Sequence, residues 1–257
     1  MTRRVGSLAV LAAIGTYIVV PLVASARFSL EGRHGRLTLD AYTTILDQPA
    51  FWHALWLSVR IGLTTVLVEL VLVTWTSLWV RLRSPGLAAL VDAVVLIPIM
   101  VPVVVIVLGV TSSLRFLPQW LTETPAILVA EYALLALPYA YRIVDAGVGA
   151  LDLATLTEAA HSLGAHWRHT VLQVLLPGLK GPLMAAGAMT IALCLGEYVM
   201  ASLLSFTTFP VWLQQIGATQ ATEAVAVSTL ALVSTVVVLA IVVLAAGRSR
   251  GPGVEDS

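Results

Sequence analysis

Long apolar runs alternate with short polar intervals along this chain, and that alternation predicts its elements. Six runs, at residues 7–26, 51–80, 87–110, 125–143, 182–205 and 223–246, lie near or above the roughly 20 residues that a helix needs to cross a bilayer. None repeats the ten-residue alternation of a membrane barrel strand. The reading is therefore all-α: a polytopic membrane protein of about six transmembrane helices, one domain over residues 1–257 with its core at about 37–246.

Prolines and glycines place the breaks. Pro98 and Pro102 lie inside the third run and remove two backbone donors, so that run should kink or unwind there. Such a break is tolerated only against protein or a water-lined cavity. The fourth run should bend or end near Pro138, and Pro182 sits where a first helical turn accepts proline. The second run is long enough to span with tilt and should close in a compact basic turn over 81–86. Residues 27–50, with Gly32 and Gly35, 111–124, with Pro118, and 206–222 read as loops, and the tail 247–257 as disordered. The first run ends in Val23-Ala24-Ser25-Ala26, which fits either a signal-peptidase site or an uncleaved first spanning helix.

Composition agrees with a bilayer. Hydrophobic residues make up 59% and charged residues 11%, where soluble domains carry about 25% charge. Mean hydropathy is +0.95. Net charge is zero, so nothing points to a nucleic-acid partner. The one cysteine, Cys194, excludes an intrachain disulfide and reads as a small buried hydrophobe. With the N-terminus inside, nine basic residues fall on the inner side (Arg3, Arg4, Arg81, Arg83, Arg142, Arg168, Lys180, Arg248 and Arg250). Four fall outside (Arg27, Arg33, Arg36 and Arg115), and Arg60 is within a span. That bias places both termini in the cytoplasm.

The polar interval at 158–177, EAAHSLGAHWRHTVLQVLLP, stands apart in the second half. Leu153, Leu156, Ala160 and Leu163 recur at helical spacing and Gly164 interrupts them. Trp167, Val171, Val174 and Leu175 then begin a second stripe that Pro177 closes. The pattern predicts a short helix, a glycine turn and a short helix lying along the membrane on its cytoplasmic side.

Glu158-Ala159-Ala160, then Gly164 after three intervening residues and Val174-Leu175-Leu176-Pro177 after nine more, resemble the EAA loop of binding-protein-dependent ABC importer permeases. Val174 stands where the family usually has isoleucine. Stretches at 37–61, 97–102 and 137–142 are also similar to the family, and the likeness covers about 37–213. It implies a type I importer-like fold in which a cytoplasmic coupling loop at about 144–181 docks into ABC ATPase subunits through Glu158, Ala159, Ala160, Gly164, Val174, Leu176 and Pro177. It also implies a second, non-identical permease, an extracellular solute-binding protein and residence in the cell membrane. Within the family the chain is most similar to the polyamine, iron, thiamine and phosphonate group. The solute would then be a polyamine or another small organic or metal-containing compound. Glu158 could also act simply as an acid near a helix start.

No cofactor, metal or catalytic site is expected. Of His161, His166 and His169 only the last two have i, i+3 spacing, and no cysteine or close carboxylate pair completes a ligand set. Phosphate-cradling glycine loops, zinc-protease helices and serine-nucleophile turns are missing. An intramembrane enzyme would need a paired constellation that is not found, and a secondary transporter working alone would need internal repeats, which are not visible. Charges inside the membrane are costly enough to suggest function. Arg60, Glu131 and Glu197 count to the outer half of their runs, roughly 13, 9 and 8 Å from the outer side at about 1.5 Å per residue. They are candidates for a solute path, with one carboxylate unpaired, or else for an ion-pair network that fixes packing. Glu69, nine residues after Arg60, is turned away from it.

Overall fold

The computed structural model describes residues 2–31, 36–113 and 124–248, with side chains from residue 10 to residue 234 of that set. Arg33, Arg115, Pro118, Gly32, Gly35, Arg250 and most of the tail lie outside the described residues. The chain divides into two compact units, one from residues 1–52 with 212–257 and one from 53–211.

In the first unit, α1 (Thr2–Leu30) packs along α12 (Ala221–Arg248), and the short α2 (Asp40–Leu46) packs against both. α1 continues without a break through Val23–Ala26, and its apolar side chains from Val10 to Ala24 are exposed, as suits a helix that faces lipid. Ser29 Oγ and Tyr42 Oη lie 2.8 Å apart, tying α1 to α2. Phe51 and Trp212 meet edge to face at 5.5 Å.

The second unit holds most of α3 (Pro49–Arg83), then α4 (Ala88–Met100), α5 (Val103–Ser113), α6 (Ala126–Gly149), α7 (Leu153–Ser162), α8 (Trp167–Gly178), α9 (Lys180–Gly196), α10 (Val199–Leu203) and the start of α11 (Phe209–Gly217). α6 is its axis and packs along α9 and α4. The α6 alanines Ala136 and Ala140 and Ala186 of α9 are wholly buried, which lets the helices approach closely. Gly147 is the tightest point: a Cβ there would strike the Pro182 ring. One buried cluster gathers Val73, Leu78, Tyr141, Val144, Leu175 and Leu179, and a second gathers Ile61, Leu128, Tyr132, Cys194 and Met200.

Among the described residues three helices are long and apolar enough to cross a membrane, Val10–Leu30, Pro49–Arg83 and Ala126–Gly149. Two bent pairs supply broken spans, one bent by 100° between Met100 and Val103 and one by 73° between Gly178 and Lys180. The first break falls at Pro102 rather than Pro98. Val101, forced out of the helical region by the following proline, is extended at φ −94°, ψ 123°, whereas Pro98 stays inside α4.

Several boundaries differ from the sequence reading. α3 continues to Arg83, so the basic turn shrinks to a single 3-10 turn, Pro85–Leu87. α6 passes Pro138 and ends only at Gly149, because Tyr141, Val144 and Val148 are held in the core. The fifth run is not one helix. It breaks after Gly196, where Glu197 is extended (ψ 117°) and its Oε1 accepts a 2.9 Å hydrogen bond from the Met200 backbone N–H, capping α10. The interval 206–222 contains the amphipathic α11 instead of being loop throughout.

Candidate functional site

The polar interval folds as a protrusion built on the second unit. Asp152 caps α7, its Oδ1 accepting from the Thr155 N–H at 3.2 Å, and hydrogen bonding from Thr155 holds its carboxyl below the usual carboxylate range. α7 ends in a Schellman turn: Ala165 N–H donates to Ala160 O and Gly164 N–H to His161 O, both at 2.9 Å. Gly164 has φ +77°, the left-handed conformation that this turn requires and glycine alone adopts without cost. α8 follows, with a π-helical stretch, Thr170–Leu175, that rotates Val171 and Leu175 into the core and carries the helix one residue past Pro177.

Beneath the protrusion the helices are locked together. Arg81 donates through Nε and Nη2 to both Asp145 oxygens at 2.9 and 2.7 Å, and Ser77 Oγ donates to Oδ1 at 2.6 Å. The Arg83 guanidinium lies 5.8 Å from the centre of the Trp167 ring at the start of α8. Arg142 and Asp92 pair more loosely at 3.8 Å. None of these partners is legible from sequence spacing, because each pair joins separate helices.

The seven predicted coupling residues divide by side. Ala160 is buried, Val174 is half-buried, and Leu176 is half-buried against the core. Glu158, Ala159, Gly164 and Pro177 are exposed, along with His161, His166, Arg168 and His169, and Leu163 is 88% exposed at the turn. The apolar stripe thus stops at Ala160, because Leu163 already belongs to the turn. Glu158 has no hydrogen bond or ion pair among the described residues, and as the sixth residue of α7 it lies beyond the first turn, where helix-dipole stabilisation has faded. Asp152 takes that structural role. The His166 and His169 rings are 6.4 Å apart and tilted, and among the described residues no three potential metal ligands converge.

The intramembrane charges separate as well. Glu131 is 1% exposed and neither carboxylate oxygen has a hydrogen-bond partner among the described residues; Glu197 is half-buried and its carboxylate is turned to the Met200 N–H. Arg60 is exposed and pairs with neither, so no ion-pair network joins the three among the described residues. Glu69 is buried on the opposite face of α3 from Arg60, with Oε1 unpartnered.

Residues 73–252 match the family described as binding-protein-dependent transport system inner membrane component. The thiamine transport system permease protein ThiP of Escherichia coli (strain K12) is 30% identical over 184 residues, 67% of this chain but only 34% of that protein. A putative 2-aminoethylphosphonate transport system permease protein, PhnV of Salmonella typhimurium, is 27% identical over 177 residues, covering 68% of this chain and 66% of that one. The chain thus spans about a third of the length of the thiamine permease. A solved structure, the crystal structure of an amino acid ABC transporter with histidines, superposes on 82% of this chain and all of that one with a TM-score of 0.58 at 19% identity, a likeness of fold. With the family match covering well over half its length, this membrane protein belongs to the binding-protein-dependent transport system inner membrane components.

Proposed function

We propose that the chain is the transmembrane permease subunit of an ABC importer, acting as one domain with both termini in the cytoplasm. An extracellular binding protein delivers a small solute, and separate ATPase subunits drive alternating access against a second permease. The observation that carries this reading is the α7–α8 protrusion: an exposed Glu158 without a partner among the described residues and a glycine turn, seated on the core of a family member. A surface of this kind offers a partner a charge, an apolar tip at Leu163 and a fixed angle.

Glu158 pairs with a basic residue of the ATPase, so Glu158→Lys should leave the complex inserted while abolishing binding-protein-stimulated ATP hydrolysis. Normal stimulation in the reversed-charge variant would defeat the docking role. The relatives' thiamine and aminoethylphosphonate favour a small organic solute bearing a cationic nitrogen, in keeping with a polyamine or a similar compound. Glu131 supports that class, as a buried carboxylate without a partner among the described residues, with Glu197 and Arg60 as further residues of the path. Mass spectrometry of the solute carried by the cognate binding protein would decide it, and a purely anionic solute would overturn the assignment.

A further inference from the structure

The outward face of α3 carries a stripe that importer chemistry leaves unused. Leu67, Val71, Trp75, Trp79 and Arg83 follow one another at four-residue steps, so they form one slowly winding ridge along the helix. All five are exposed, Val71 at 72%. An open apolar groove lies along Leu67, Val68, Val71, Leu72 and Trp75. At Trp75 it runs into a cleft of about 190 Å³ walled by Trp79, Arg83, Trp167 and Val171. From Leu67 to Arg83 the stripe rises roughly 24 Å, at about 1.5 Å per residue, close to the depth of one leaflet with its headgroups.

The polar end of this groove is specific. Arg81 is consumed by Asp145, but Arg83 has no carboxylate partner among the described residues, and its guanidinium is held over the Trp167 ring. Tryptophans beside a cation at the end of an apolar groove are what a membrane interface selects. A second protein seated here would have to supply a buried acid for Arg83, whereas a lipid phosphate meets that charge at the headgroup level wherever the leaflet is anionic.

We propose that this groove is a binding site for an anionic phospholipid of the leaflet on the Arg83 side, its phosphate on Arg83 and an acyl chain along Trp79, Trp75 and Val71. The lipid thereby touches Trp167, the first residue of α8, and sits directly against the base of the protrusion. This rests on the family's membrane placement and on neither the solute nor the role of Glu158. A failure here therefore leaves the proposed function standing.

The test uses the assembled transporter, with Cys194→Ala and a fluorescent label at Val71→Cys, in bilayers containing chain-brominated phosphatidylglycerol or phosphatidylcholine as quencher. One arginine at the surface gives a preference of about fivefold for the anionic lipid. That preference should disappear in Arg83→Gln and persist in Arg83→Lys. Unchanged quenching by phosphatidylcholine in each variant shows that insertion is intact. The proposal is overturned by equal quenching in the labelled chain that keeps Arg83, by a preference that survives Arg83→Gln, or by no quenching from either lipid, which would mean that a protein covers the groove. It is overturned equally if inorganic phosphate, but not chloride of equal ionic strength, removes the preference, since the site would then take a free anion.

Discussion

Gly164 gives the sharpest test of how the α7–α8 turn works. Its φ of +77° is closed to ordinary L-residues, yet nothing lies within 4 Å of the place where a Cβ would stand. Any penalty for a side chain there is therefore a backbone penalty and not a clash. Alanine in this conformation costs about 1–2 kcal/mol, asparagine less because it visits the left-handed region more readily, and a β-branched valine more. At about 1–2 kcal/mol the ratio of closed to open turn falls by a factor of about 5–30. Reconstituted transporter should accordingly show binding-protein-stimulated ATP hydrolysis in the order Gly, Asn, Ala, Val, with the thermal midpoint of the bundle little changed because Gly164 is exposed and its Cβ position meets no other residue. Asparagine is larger than alanine, so the order distinguishes conformation from bulk. If alanine outperforms asparagine, or all four hydrolyse ATP equally, the turn argument fails.

Other substitutions probe the frame beneath. Asp145→Ala removes three hydrogen bonds and strands Arg81; with the two side chains 22% and 38% exposed the loss should be about 1–2 kcal/mol, measured as a lower denaturation midpoint in detergent. Gly147→Ala drives a methyl into Pro182 and should cost about 1–3 kcal/mol, whereas an unchanged midpoint would mean that α9 shifts freely. Glu197→Gln should keep the α10 cap and Glu197→Ala lose about 0.5–2 kcal/mol, read in the same melt. Glu131→Gln should reduce uptake without lowering the midpoint, since no partner among the described residues is lost; wild-type uptake with a lowered midpoint would remove Glu131 from the path.

Much of the architecture was legible because it depends on local chemistry. The helix-breaking Pro102 and the glycine turn at Gly164 are properties of short stretches, and each appears in the structure where its residues stand; of the six apolar runs, three form single helices of membrane length among the described residues and bent helix pairs supply up to two more spans. The polar interval at 158–177 was recognisable for the same reason: its glycine and proline offsets lie within twenty residues. The ends of elements were less legible. Pro138 looked like a stop, but Tyr141, Val144 and Val148 are buried against α3, α4 and α9, and that packing carries α6 on to Gly149. Glu197 looked like a charge within a span, whereas Gly196 ends α9 before it and the carboxylate turns back to cap α10.

Pairings between helices were decided only by the tertiary structure. Arg81 and Asp145 are sixty-four residues apart, and Arg83 and Trp167 belong to different helices, so no spacing rule connects them. Which side of α7 faces outward was likewise settled by contact: Leu153, Leu156 and Ala160 are drawn onto the core and Glu158 is left exposed. Local sequence sets where a backbone can bend and which segments avoid water, because those costs are borne residue by residue. Which charge finds a partner depends on close packing between distant segments, an energy that exists only once the chain has folded.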